Sequence, residues 1–233
     1  MLTPAQRHWQ KKTAEEMGAE KGKISAQALT QYERMRHRLE TDKRQLKNVQ
    51  SDVLKAEFKR ALLPHYQGWI EGVLATGTGQ PDEVFVTCMI WHIDAGLIDE
   101  ALNMVSYALR HRLAMPDQFK RTPATFIVDA ICDPALGEFH IDINKATLSA
   151  DTLRRLDALT TEEDMPDIVR AKLYKCLGLT LRLGSLDDKV EAVEYLERAM
   201  QRHKKAGVKN DIRDLKKAVA RQLEQQAGAM ASE

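Results

Sequence analysis

At 233 residues, 43% apolar and 30% charged, the chain is long enough for one large or two small cores under a broad solvated surface. Its three cysteines share no C-x-x-C spacing, no apolar run reaches the ~20 residues of a membrane span, and the N-terminus carries no apolar signal core. These features point away from a disulfide scaffold, a membrane protein and a secreted one, toward a soluble intracellular chain with buried thiols at Cys88, Cys132 and Cys176.

The net charge of +1 hides an asymmetry: residues 1–64 hold 14 Lys/Arg against 8 Asp/Glu, residues 65–170 hold 8 against 17, and residues 171–233 hold 13 against 9. A basic N-terminal third suits phosphate contact, and an acidic middle argues against DNA wrapping the whole molecule. Only 12 Gly, 7 Pro and 5 Phe favour helix over sheet. The expected fold class is all-α: a long N-terminal coiled-coil-like helix, then a helical body with tetratricopeptide-like helix hairpins.

Thr3-Pro4-Ala5-Gln6 reads as a helix start, with Thr3 as cap, Pro4 at the first helical position and Gln6 completing a capping box. That helix runs to about Met17. Lys21-Gly22-Lys23 follows as a basic hinge, and Ser25 caps a long helix reaching about Leu63, where Pro64 disturbs it. Along the long helix Tyr32, Leu39, Leu46 and Val53 recur at one heptad position, and Met35, Val49 and Ala56 at the other, broken by Asp42. So narrow a stripe fits a coiled-coil seam, with the next subunit or a helix of the same chain as partner.

From His65 the apolar face broadens through Tyr66, Trp69, Ile70 and Val73-Leu74 until Gly77-Thr78-Gly79 ends the helix, and Pro81-Asp82 opens another. Phe85, Cys88-Met89, His92, Gly96, Ala101, Val105 and Ala108 follow tetratricopeptide spacing, departing from it at Met89, where a small residue is preferred. Pro116 is expected to stop the second helix of this pair. Residues 133–148 read as a loop, although Phe139–Ile143 alternates like a short strand. A looser second pair has Tyr174, Leu177-Gly178 and Leu181 on one helix and Ala192, Leu196 and Ala199 on the next, with a turn about two residues longer than the pattern. A basic helix over about Lys209–Gln225 closes the chain. The expected divisions are 1–24 for DNA contact, 25–63 for oligomerisation, 64–135 for the central hairpin region and 136–233 for the C-terminal helices.

Chemistry-bearing motifs are scarce. Cutting a phosphodiester with a divalent metal needs clustered carboxylates, and the nearest set, Asp129, Asp133, Glu138, His140 and Asp142, has no recognisable nuclease spacing. Glu57-Phe58-Lys59 has a Glu-x-Lys spacing but no acidic strand before it. The seven histidines pair with no cysteine at zinc-finger spacing, and Gly77-Thr78-Gly79 lacks the lysine of a phosphate-binding loop. No catalytic residue, metal or cofactor is assigned.

Three islands carry a family resemblance: Pro4-Ala5-Gln6-Arg7-His8; the Leu62–Pro123 stretch with Trp69, Gly72-Val73-Leu74, Trp91, Asp94, Gly96, Tyr107-Ala108-Leu109, Met115-Pro116 and Arg121-Thr122-Pro123; and Met165-Pro166-Asp167 continuing to Arg182. In order and approximate spacing the chain resembles the small terminase subunits, the M-protein family, of cohesive-end-packaging, contractile-tailed temperate phages. The resemblance implies a DNA-recognition subunit that works in the host cytoplasm. It would bind double-stranded viral DNA near the cohesive-end site, form a homo-oligomer such as a ring, and hand DNA to a large terminase subunit holding the ATPase. Family members are sometimes labelled terminase endonuclease, so cutting by this chain is one alternative, and a helical protein-binding adaptor is another. Arg7, Lys11, Lys12, Lys21 and Lys23 are the first DNA-contact candidates, followed by Arg36, Lys43, Arg44 and Lys47. Tyr32, Met35, Leu39, Leu46, Val49 and Val53 are the oligomerisation candidates. The basic C-terminal helix is the expected contact for the large subunit.

Overall fold

The computed structural model describes residues 2–18, 25–116 and 121–230, with side chains through residue 226. The fold is all-α, and the described residues contain no strand. The chain divides into two compact units, Met1–Pro123 and Ala124–Glu233. The divisions expected at 24 and 63 fall inside the first unit, and the one at 135 falls within a single helix.

In the first unit, α1 (Pro4–Met17) has the expected capping box: Thr3 accepts from the Gln6 N–H, and the Gln6 side chain accepts from the Thr3 N–H. This helix is no free arm, because it packs along α4 (Gln67–Thr76). The approach is so close that a Cβ on Gly68 would sit 2.5 Å from the Arg7 carbonyl oxygen, and one on Gly72 2.4 Å from that of Lys11. Glycine is required there because backbone meets backbone.

Ser25 caps α2 (Ala26–Lys47) as expected, but the helix does not continue to Leu63. Asn48 ends it, and Ser51 caps a separate helix, α3 (Asp52–Leu62), by accepting from the Leu54 N–H. A cap-forming Asn and Ser three residues apart offer the backbone more than an unbroken helix does. A 3₁₀ turn, Leu63–His65, carries Pro64 into α4.

Gly77, at φ +67°, ends α4 in the left-handed conformation, and Asp82 caps α5 (Glu83–Asp94). Gly96, at φ +72°, turns α5 into α6 (Ile98–Arg110). Contrary to expectation, α6 ends well before Pro116. Arg112 adopts φ +51° and the Leu113 N–H bonds back to the Ala108 carbonyl, while the Leu113 side chain is buried. The core is aromatic: Tyr32 stacks on Trp69 at 5.5 Å, Trp91 meets the edge of Tyr66 at 5.9 Å and Phe85 meets Tyr107 at 5.2 Å. Met89 is fully buried among these helices.

In the second unit, α7 (Pro123–Ile141) runs through residues expected to begin a loop, and it tolerates Pro134 in its interior. Its buried face, Ile127, Val128, Ile131, Cys132, Ala135 and Phe139, has helical spacing, so packing outweighs the missing N–H of Pro134. The apparent strand alternation is the end of this helix, where Phe139 is buried and Ile141 is exposed. Helices α8 (Ala150–Thr160), α9 (Asp167–Leu181), α10 (Leu186–Arg202) and α11 (Lys209–Met230) follow. Gly178 lets α9 approach α10, since a Cβ there would lie 2.6 Å from Leu196 Cγ. Buried Arg170 ties the α8–α9 connection by donating to the Thr160 and Glu163 carbonyls. All three cysteines are buried free thiols.

Candidate nucleic-acid interface

The predicted cations have different fates. Arg7 is spent on the fold: its guanidinium closes on both oxygens of Glu71, joining α1 to α4, and this contact raises its pKa. Lys12 pairs with Glu15 at 2.7 Å on its own helix. Lys11 is half-buried and has no ion pair among the described residues. Lys21 and Lys23 lie outside the described residues. Arg36 reaches Glu83 at 3.4 Å.

The remaining candidates come together. The end of α2, one face of α3 and one face of α5 enclose an open groove lined by Lys43, Arg44, Lys47, Lys55 and Lys59, with Trp91 and Ile90 at its apolar wall. Two carboxylates, Glu40 and Asp94, share this lining with five cations. Lys59 is held 2.6 Å from Asp94, and Lys55 lies 3.2 Å from Asp52. Burial works against the charge on Lys43, but its hydrogen bonds to Glu83 (2.8 Å) and Glu40 (3.0 Å) win and raise its pKa. The same Lys43 contact lowers the pKa of Glu83, so each partner of this pair favours the charged form of the other. Arg44 touches only uncharged oxygens, the Glu40 carbonyl and Thr41 Oγ1, and Lys47 has no ion pair among the described residues. Both sit in the last turn of α2, where the helix dipole favours positive charge.

Lys55 and Lys59 were absent from the predicted contacts. An unbroken helix through residue 63 would not fold them back beside Lys43 and Lys47; the Asn48–Ser51 turn does. The Asn-x-x-Ser spacing was the available signal.

The predicted oligomerisation stripe is largely covered inside the unit. Met35, Leu39 and Leu46 are buried, and Tyr32 lies on Trp69. Burial raises the Tyr32 pKa to about 12. Asp42, the break in the heptad series, is a buried acceptor for the Tyr66 hydroxyl at 2.5 Å, so it belongs to the stripe as a polar anchor. Val49 is half-buried, and Val53, with Leu54 beside it, is exposed at the start of α3.

The acidic set on α7 is also engaged. Lys172 of α9 sits 2.7 Å from Asp129 and 2.8 Å from Asp133, and Glu138 pairs with Lys145 at 3.0 Å. Asp142 accepts from the Asn144 N–H, and His140 is exposed. Among the described residues no three His, Cys, Asp or Glu side chains gather as metal ligands, and no described helix is long and apolar enough to cross a membrane.

Among the described residues, the groove of five cations is a concentration of charge suited to a polyanionic partner. A family model described as phage small terminase subunit matches residues 36–168. The chain is 38% identical over 229 residues to the "Terminase, endonuclease subunit" of Escherichia phage P2, covering 98% of this chain and 90% of that protein. It is also 26% identical over 171 residues to the "Probable terminase, endonuclease subunit" of Haemophilus phage HP1 (strain HP1c1), covering 68% and 59%. No solved structure matches it. The chain belongs to the phage small terminase subunit family, which places it in phage DNA packaging.

Proposed function

We propose that this chain binds double-stranded viral DNA through the α2–α3–α5 groove, near the cohesive-end packaging site, and delivers it to the large terminase subunit in the host cytoplasm. The observation that carries this reading is the convergence of Lys43, Arg44, Lys47, Lys55 and Lys59 on one groove, with Arg44 and Lys47 free of carboxylates. Neutralising a phosphate releases its counterions, so each such contact adds about 0.9 to the slope of log affinity against log salt. A homo-oligomer would multiply these contacts, and the exposed Val53–Leu54 tip is its candidate contact.

Fluorescence anisotropy with a duplex spanning the viral end tests the reading, with light scattering for subunit number. The Lys43→Gln/Arg44→Gln/Lys47→Gln variant should bind at least about tenfold more weakly at low salt, with a slope shallower by about 2–3. Unchanged affinity and slope would remove the groove from DNA binding. Deleting residues 1–24 is a poor substitute, because it strips α1 from α4 and exposes its packing face.

The printed names of the two relatives favour a second reading, that the chain itself cuts DNA. Asp129 and Asp133 are its best-placed carboxylates, and Lys172 occupies the space between them. Mg²⁺-dependent nicking by the isolated chain, lost in Asp133→Ala, would establish that reading. Undiminished nicking in that variant would exclude this pair.

A further inference from the structure

The second unit has its own concentration of positive charge. From Arg198 to Arg221 the chain holds nine Lys/Arg and two Asp, whereas residues 124–197 hold eight Lys/Arg against 15 Asp/Glu. Most of this charge lies on α11 and the turn before it. Helix α11 packs on α10, with Ile212 and Leu215 on it and Val208 just before it buried, and Lys189 of α10 donates a hydrogen bond to Gln222. On its exposed side, Lys209, Arg213, Lys217 and Arg221 recur at every fourth residue. At 1.5 Å per residue they span about 18 Å.

A helix face that serves only to stay wet alternates its charges, because opposite charges four apart stabilise a helix and like charges destabilise it by a few tenths of a kcal/mol per pair. Here three successive steps repeat the same sign. Arg213 touches only its neighbour Asp214, and both are well exposed, so the pair screens the stripe weakly. Lys209, Lys217 and Arg221 have no ion pair among the described residues, nor do Lys204 and Lys205 in the exposed turn. Arg154 in the same unit shows the contrast, with Asp151, Asp188 and Glu191 all around it. The stripe also lacks the aromatic or aliphatic anchor that protein interfaces place at their centre. Leu223, half-exposed, lies beyond its end.

We propose that the outer face of α11, with Lys204 and Lys205, is a second contact for the phosphate backbone of double-stranded DNA, independent of sequence. It rests on the reading that this chain binds DNA, and it assigns to DNA a helix expected from sequence to meet the large subunit. Two weak backbone contacts on one chain add avidity without base readout.

The test uses the full chain and a duplex of arbitrary sequence, titrated between about 50 mM and about 200 mM salt. The Lys209→Gln/Arg213→Gln/Lys217→Gln/Arg221→Gln variant should lower the salt slope by about 0.9 per lost contact and weaken low-salt binding by about tenfold or more. Arg213→Lys/Arg221→Lys should restore most of both. Wild-type affinity and slope in the quadruple variant, with its helical circular dichroism intact, would overturn the proposal and leave the stripe to an acidic protein surface. If the variant misfolds, acylation of the wild type decides: DNA should protect Lys209 and Lys217 from an amine-reactive ester, and equal labelling with and without DNA overturns it. Failure of wild-type protein to bind any duplex would instead sink the groove reading on which this one rests.

Discussion

Helix α1 and the α2–α3 groove both concentrate lysine and arginine, yet the fold treats them differently. On α1 the Arg7 guanidinium is closed on Glu71 and Lys12 on Glu15, while backbone packs against the two glycines of α4. In the groove, Arg44 and Lys47 stand without carboxylates, and the paired lysines Lys43, Lys55 and Lys59 border the same space. Basic sequence therefore reports two things, adhesion within a protein and availability to a partner, and only the arrangement of nearby carboxylates separates them. Variants of the first region should change stability, and variants of the second should change DNA affinity.

The largest stability effect should come from Trp69→Ala. The indole is fully buried, stacks on Tyr32 and donates to Asp82 at 2.8 Å, the residue that caps α5. Truncation leaves a cavity and removes a donor from the half-buried Asp82 carboxylate, for a loss of about 3–5 kcal/mol in chemical denaturation. Gly72→Val should follow at about 1–3 kcal/mol, because the new Cβ would press on the Lys11 carbonyl oxygen 2.4 Å away and α1 must shift as a body. If Gly72→Val instead melts like wild type, α1 is not held as described, and the comparison with the groove fails.

These residues also show how far the sequence could be read. The caps at Thr3, Ser25 and Asp82, the glycine turns at Gly77 and Gly96, and the apolar faces of both hairpins were legible, because each depends on local backbone chemistry or on helical spacing. Three readings failed. At Asn48–Ser51 local caps break a helix that the heptad rhythm had carried on, whereas the continuation of α7 through Pro134 and the end of α6 before Pro116 set a local signal against tertiary packing. Of the heptad stripe, Met35, Leu39 and Leu46 are buried within the unit while Val53 is exposed beyond the break, and heptad spacing alone does not tell a partner subunit from helices of the same chain. Tyr66, which takes the Asp42 carboxylate, lies 24 positions away, so no local pattern reveals that contact. The groove was half legible: Lys43, Arg44 and Lys47 are neighbours on α2, but Lys55 and Lys59 join them only once the helix turns.

Acid should act on the first unit through its histidines. Burial lowers the pKa of His92, against the opposing pull of its contact with the Cys88 carbonyl and the charge of Glu100, and burial likewise lowers that of His65. For a histidine with a depressed folded pKa, the unfolded chain takes up its proton first. The stability contribution is therefore complete above the unfolded value of about 6.5 and is lost as pH falls toward the folded one. Urea unfolding of wild type should weaken from about pH 7.5 to about pH 5.5, and His92→Gln should weaken by less. Equal pH dependence in the two proteins would remove His92 as a contributor.

The smallest effect should belong to Arg7→Gln, and it bears most directly on the contrast between the regions. The Arg7 and Glu71 side chains are 48% and 33% exposed, so solvent screens their attraction and the loss should stay under about 1 kcal/mol. Because the guanidinium is already closed on a carboxylate, binding DNA would require breaking that pair and leaving Glu71 facing the phosphates. Duplex affinity and its salt slope should accordingly stay at wild-type values in Arg7→Gln, measured beside the groove variant on the same DNA. Glu71→Gln sharpens the point, since it frees Arg7 without removing a cation and should strengthen binding slightly if α1 faces DNA at all. A marked loss of affinity in Arg7→Gln would mean that α1 contacts DNA despite its ion pair, and the division between holding cations and binding cations would have to be abandoned.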